Sequence, residues 1–312
     1  MIYPWFERIY LEMDLAFRKN RLYPSIIVES FLNTGVDIFL SDIAKSILCK
    51  EKEGLNFCSK CQNCILASNK NHQDIFLLDD KIISVDKVRE LTERLNLHSS
   101  NNLSIVIIPN IVSLNNSSIN ALLKTIEEPK DGVYFLMGST IDIKDTLRSR
   151  SAIYDLRSSD MLTPKSWFID KIDQKLLSSK EILAEFDLLI ETKRKEPLFI
   201  LDCFENGIID KKIFFKKELN DFILHRNMSS MLANLGSYEA YELNFVFDWF
   251  YDFFELKLIS NIKLLKFYIY DNLVKILYLI KDAKIILGKK NNLNLELLLI
   301  NFLIDLDKLL HG

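Results

Sequence analysis

Four of the chain's five cysteines, Cys49, Cys58, Cys61 and Cys64, fall within sixteen residues in the order C-x8-C-x2-C-x2-C. Thiolates are soft ligands and two-residue spacers fold into tight knuckles, so four of them at this spacing can close a tetrahedron around Zn2+. Four protein ligands leave no open coordination position, which makes the expected site structural and not catalytic. Lys50, Lys52 and Lys60 stand among them, and cationic neighbours favour the thiolate. Four unrelated buried thiols are the alternative, and the clustering argues against it. Cys203 stands alone and reads as a core residue; the four histidines are dispersed and are assigned to no metal. The N-terminus, MIYPWFERIYLEMD, carries acids and no apolar core, so it is not a secretory signal. Clustered cysteines in such a chain point to metal before disulfides.

The elements that must position this cluster alternate. Ser25–Val28 reads as a short buried strand, and Ile38–Leu48 follows a helical period up to the first cysteine. Ile75–Leu78, Leu103–Ile108 and Val133–Met137 read as three further strands. Ser84 opens a helix with Val85, Val88, Leu91 and Leu95 on one face and Asp86 in its first turn. Asn116 or Ser117 can cap another carrying Ile119, Leu122, Leu123 and Ile126, which Pro129 stops. Strands alternating with helices over residues 20–155 predict a parallel sheet covered on both faces.

After about residue 157 the pattern becomes helical, first in short periods such as Glu181–Leu189, then in long apolar ones around Phe245–Leu258, Leu264–Ile280 and Leu293–Leu310. Asp, Glu or Lys interrupts every candidate membrane span there, and the uncharged stretch Asn102–Leu123 contains Pro109 and a run of Asn and Ser. The expectation is a cytoplasmic protein with no membrane partner. A formal charge of −3 argues against a whole-chain electrostatic grip on nucleic acid.

Downstream of the cysteines stand Asn120-Ala121-Leu122-Leu123-Lys124-Thr125-Ile126-Glu127-Glu128-Pro129 and then Ser149-Arg150-Ser151. Together with the cysteine spacing, that order resembles the AAA+ subunits of bacterial DNA polymerase III clamp loaders, both the tau/gamma ATPases and the delta-prime subunits. Their pattern is a four-cysteine zinc insert, N-A-L-L-K-x-L-E-E-P, a strand and S-R-C. His72-Gln73-Asp74 resembles the family's H-P-D, and Asn294–Leu299 resembles the last helix of its oligomerising collar. The resemblance implies an α/β AAA+ module over 1–157 with its four-cysteine zinc insert at about 49–64, a helical lid over 158–207 and an all-helical collar over 208–312.

It also implies what is missing. A P-loop needs glycines whose N–H groups wrap the phosphates, a Lys for the β/γ-phosphates and a hydroxyl for Mg2+. The corresponding turn here is Ser30-Phe31-Leu32-Asn33-Thr34-Gly35-Val36-Asp37, in which Gly35 alone remains, Val36 stands for the Lys and Asp37 for the hydroxyl. Where the family's ATPases carry Asp-Glu after a strand, Pro109-Asn110 follows. No ATP binding or hydrolysis by this chain is expected, which sets it nearer delta-prime than tau/gamma.

By position, Arg150 matches the family's arginine finger, which reaches the γ-phosphate held by a neighbouring subunit; Arg148 is the fallback, and Ser151 replaces the family's Cys. A solvated surface arginine is the bland alternative. The expected partners are tau/gamma subunits and delta, with the sliding clamp and primed DNA met through the complex. Two rivals are a divergent tau/gamma-type ATPase and a stand-alone zinc-containing DNA-binding protein. The lysine–glutamate pair Lys124–Glu127 reads as an i,i+3 contact, Gly138-Ser139-Thr140 as a strand end, and the aromatic run Phe245–Phe254 as a helix core or subunit interface and not a base-stacking surface.

Overall fold

The computed structural model describes residues 2–51, 53–97, 103–157, 165–172, 177, 179–239, 242–263, 270–288 and 294–311. After a single 3-10 turn at Pro4–Phe6 the chain runs through α1 (Glu7–Arg18), β1 (Ser25–Glu29), α2 (Val36–Leu48), α3 (Gln62–Ser68), β2 (Ile75–Leu77), α4 (Val85–Leu97), β3 (Ser104–Ile108) and α5 (Asn116–Glu127). Then come β4 (Val133–Ser139), α6 (Asp145–Arg148), β5 (Ala152–Asp155), α7 (Lys165–Lys171), α8 (Lys180–Lys193) and α9 (Pro197–Glu205). Five helices finish it: α10 (Ile208–His225), α11 (Met228–Gly236), α12 (Leu243–Lys263), α13 (Tyr270–Gly288) and α14 (Leu295–His311). Residue contacts divide the chain into two compact units, Met1–Gln174 with Phe186–Asp202, and Lys175–Glu185 with Cys203–Gly312. The segment 158–207 is thus shared between the two, and residues 158–164 lie outside those described.

The first unit holds a five-stranded sheet in the order β2-β3-β4-β1-β5, all pairs parallel. Parallel strands need crossovers and so are covered on both faces. Ile26, Val28, Ile105, Ile107 and Leu136 face α1 and α2; Ile27, Val106, Ile108, Phe135 and Met137 face α4 and α5. That two-sided burial is why β1 and β3 read as unbroken apolar runs instead of alternating ones. Ser84 caps α4 through its hydroxyl, while the α5 cap is Asn115, whose side-chain carbonyl accepts from Ser118 N at 2.8 Å, one residue before the expected position. Four elements of the first unit escape the sequence reading: α1, whose face is mixed, the short helices α3 and α6, and the half-buried edge strand β5.

The second unit is helical. Phe215, Phe247, Phe250 and Phe302 form its centre; Phe250 packs edge-on to Phe215 at 4.7 Å and to Phe302 at 5.1 Å. The aromatic run Phe245–Phe254 is therefore largely core. Of the expected helix Leu264–Ile280, residues 264–269 lie outside those described; the described part belongs to α13. Leu293 also lies outside them, and the rest of Leu293–Leu310 is α14 with the residue before it. Among the described residues no helix is long and apolar enough to cross a membrane. Phe250→Ala removes a fully buried ring, and the expected loss is about 3–5 kcal/mol, read from the urea midpoint of this unit through the fluorescence of Trp249, which lies 5.6 Å from Phe215.

Candidate functional site

Three places in the first unit carry the residues singled out in the sequence. The cysteines do meet. The chain leaves α2 at Cys49, loops out and returns at α3, and the four Sγ atoms lie within 4.8 Å of one another, with Cys49–Cys61 and Cys58–Cys64 both at 4.0 Å. A tetrahedron of ~2.3 Å Zn–S bonds has edges of about 3.8 Å, so the cluster could hold a metal ion with little rearrangement. Ser59 adopts a left-handed φ of 58°, which lets Lys60 N and Cys61 N point at Cys58 Sγ at 3.5 and 3.2 Å. Such N–H···S bonds disperse thiolate charge and orient the ligand. Backbone donors at Lys50 and then Cys64 bring the Cys61 thiol down to about 6, whereas burial pushes Cys64 up to about 12.

The loop is pinned to the helices on either side. Asp14 accepts from Leu55 N at 2.6 Å and pairs with Arg18 at 2.7 Å, Arg18 donates to the Glu53 carbonyl, and Tyr10 donates to Asn56 at 2.7 Å. Asn63 closes the other side by donating to the Leu48 carbonyl at 2.8 Å. His72 follows as a cap: its Nδ1 accepts from Asp74 N at 3.2 Å, just ahead of β2, so it serves the backbone.

The second place is the carboxyl end of β1. In open parallel sheets, ligands bind beyond the strand ends where the connecting helices leave to opposite faces, and a helix N-terminus there favours an anion. α2 leaves towards one face and α5 towards the other. Here the loop that leads into α2 is covered by side chains of the chain itself. Gly35 sits at the α2 N-cap with φ of 76°, a conformation that suits glycine, and a Cβ on it would lie 2.7 Å from the Tyr3 ring and 2.9 Å from Leu198 Cδ1.

Trp5 Nε1 donates to the Thr34 carbonyl at 2.9 Å, and Tyr3 stacks on Trp5 at 4.8 Å. Burial, then Asp37 and Asp42, hold the Tyr3 phenol above its usual range. Asp37 itself lies in the first turn of α2, where its carboxylate matches the positive end of the helix. On the neighbouring strand, a Cβ on Gly138 would fall 2.1 Å from the Pro109 carbonyl oxygen and 3.2 Å from Val36 Cγ1. Asn110 donates to Thr140 at 3.3 Å, and Ser139 ends β4.

The third place is the turn before β5. Arg150 pairs with Glu127 at 3.0 Å and donates to the Thr146 carbonyl and to Ser149 Oγ, each at 3.1 Å; its Nε is buried with no hydrogen-bond partner. The expected Lys124–Glu127 contact gives way to this longer-range one. Ser151, standing for the family's Cys, shares a 2.7 Å hydrogen bond with Ser25 at the start of β1. Arg148 points elsewhere: with Arg157 it neutralises the buried Glu29 at the end of β1, at 2.8 and 2.9 Å. The sequence reading missed Glu29 and Arg157. An acid ending an otherwise apolar strand is the signal, because a buried carboxylate demands a cation. Tyr3 and Trp5 were missed too; an aromatic pair around a proline, ahead of the first helix, was the available clue.

The sequence model of a family described as DNA polymerase III, delta subunit, matches residues 7–160. A DNA polymerase III subunit delta' from Buchnera aphidicola subsp. Schizaphis graminum is 25% identical over 99% of this chain and 98% of that protein. Its counterpart from Buchnera aphidicola subsp. Baizongia pistaciae is 28% identical over 76% of this chain and 85% of that protein. Among solved structures, a gamma subunit-related protein of Thermotoga maritima aligns over 97% of this chain and 98% of its own at 17% identity, with a TM-score of 0.45. From the crowding at β4, Gly138→Ala is expected to destabilise the first unit by about 1–3 kcal/mol, measured as a lowered urea midpoint; an unchanged midpoint would mean that Pro109 yields freely.

Proposed function

Because this chain belongs to the clamp-loader family of DNA polymerase III, among its delta' subunits, we propose that it works as a non-hydrolysing member of that complex. It assembles with tau/gamma-type ATPases and with delta, and through them takes part in loading the sliding clamp on primed DNA. One observation carries the reading: a delta' relative matches from end to end, while the cleft where a family ATPase would grip a triphosphate is lined by Tyr3, Trp5, Val36 and Asp37. None of these can replace a P-loop lysine or a Mg2+ ligand, which argues against the divergent-ATPase reading. In the same proposal the first unit is the AAA+ module with part of the lid, the helical unit supplies the collar, and the four cysteines hold a structural Zn2+.

Arg150 is the proposed trans finger. Phosphoryl transfer redistributes negative charge over the γ-phosphate oxygens, and a guanidinium fork held at fixed distance stabilises that charge. Glu127 supports the role in a specific way: with the Thr146 carbonyl and Ser149 Oγ it holds the guanidinium in the free chain, and its own exposure makes the ion pair cheap to exchange for a phosphate. Arg148 has Glu29 to neutralise and is the less available of the two.

Reconstitution with the tau/gamma ATPase and delta of the same cell tests this. Stable co-assembly is expected on gel filtration, with no ATP turnover by the chain alone. Arg150→Ala should leave assembly intact while the neighbour's site loses on the order of 10³-fold in single-turnover hydrolysis; a loss appearing only in Arg148→Ala would move the finger there, and no loss in either would remove it. For the cysteines, metal analysis is expected to find about one Zn2+ per chain, as four ligands on one ion require, and to find none in Cys64→Ser. Wild-type protein that is metal-free and fully folded would end that assignment.

A further inference from the structure

The cover over the loop has a further property: its side chains come from three separate pieces of the first unit. Tyr3 and Trp5 belong to the turn before α1, Trp167 to α7, Leu198 to α9, and the backbone they meet is the β1–α2 loop. Trp167 stands edge-on to Trp5 at 5.0 Å and to Tyr3 at 6.0 Å. Leu198 N donates to the Asn33 carbonyl at 3.0 Å, and Asn33 donates its side-chain amide to Glu196 at 3.0 Å. Loop carbonyls 33 and 34 thus find their donors in α9 and in Trp5, and the apolar face of Gly35 is closed by Tyr3 and Leu198.

A nucleotide in a working P-loop touches the loop on one side and the helices that follow the sheet on the other. Here Tyr3, Trp5 and Trp167 pack on one another, and Tyr3, Trp5 and Leu198 meet the loop. We propose that Tyr3 and Trp5 form an internal brace in the space a nucleotide takes in a P-loop protein, tying α7 and α9 to the β1–α2 loop so that the first unit keeps one conformation without ATP. This rests on the clamp-loader reading for its purpose, since a subunit that never cycles needs its lid helices set permanently; the brace itself is a property of this chain and is tested on it alone.

Aromatic stacking and burial tie segments far apart in sequence, so removing one side of the contact should release both. The experiment is amide hydrogen exchange by mass spectrometry on the full chain, wild type against the double variant Tyr3→Ala/Trp5→Ala. Exchange is expected to quicken on the order of tenfold or more both in residues 31–37 and in residues 196–202, with α12–α14 unchanged as an internal control. Quickening confined to residues 31–37 overturns the brace, because it shows a local plug with no hold on α9. Leu198→Ala provides the reciprocal arm from the opposite side, and it decides alone should the double variant not fold: residues 31–37 must quicken, and unchanged exchange there sinks the proposal.

Millimolar ATP with Mg2+ added to the wild type is expected to leave both segments as they were, whereas slowing of either would show that a nucleotide still does this work. Co-assembly with tau/gamma separates the two levels. A chain that shows the coupled release but never joins the ATPases keeps its brace and loses the clamp-loader reading; one that assembles while residues 196–202 ignore the substitutions does the reverse.

Discussion

A parallel strand that ends at a helix N-terminus leaves a concentration of unsatisfied groups: loop carbonyls, free N–H groups in the first helical turn and the positive end of the helix dipole. The packing around the β1–α2 loop answers to how those groups are satisfied at the end of β1. A P-loop meets the demand with phosphate and Mg2+. In this chain Asp37 stands at the dipole, Trp5 and Leu198 N bond the carbonyls of Thr34 and Asn33, and Tyr3 covers Gly35. Because these partners are covalently part of the chain, their local concentration never falls.

The same end of the sheet explains an otherwise awkward residue. Glu29 is a buried carboxylate on the strand that leads into the loop, a poor neighbour for any polyphosphate. Arg148 and Arg157 neutralise it from the segment that links β4 to β5 and from just beyond β5. A buried acid stripped of one such partner is strongly unfavourable, so Arg148 is committed to holding the strand end. The two arginines of Arg148-Ser149-Arg150 therefore have different duties although one serine separates them, and spacing alone could not have assigned them.

How much was legible in the sequence follows from the range of each interaction. Strands β1, β3 and β4 were readable because they are buried on both faces and so mostly apolar, and the cysteine cluster because its ligands are close in sequence and chemically unmistakable. The helix cap slipped by one residue, since Asn115, Asn116 and Ser117 are all competent and only the chain's entry angle chooses Asn115. Edge strand β5 was lost because Ala-Ile-Tyr-Asp is short and half-buried. The Glu29 network and the Tyr3–Trp5–Trp167 stack join residues more than a hundred apart, where no period or spacing carries information; only the oddity of an acid in an apolar strand or of aromatics before a helix hints at them.

The loop before α2 and the turn that carries Arg150 sit at opposite ends of the sheet. Ser25 opens β1 and bonds Ser151, the residue after Arg150, and β5 runs parallel to β1 from there. Gly35 and Asp37 follow the other end of the same strand, and five residues at ~3.3 Å each put roughly 16 Å of strand between the two ends. Filling the carboxyl end with aromatic rings consequently imposes nothing on the turn that carries Arg150, whose partners Glu127, Thr146 and Ser149 all come from elements at or leading to the amino end. Substitutions in the loop before α2 and in the turn around Arg150 thus act on separate sets of contacts, and one can change without disturbing the other.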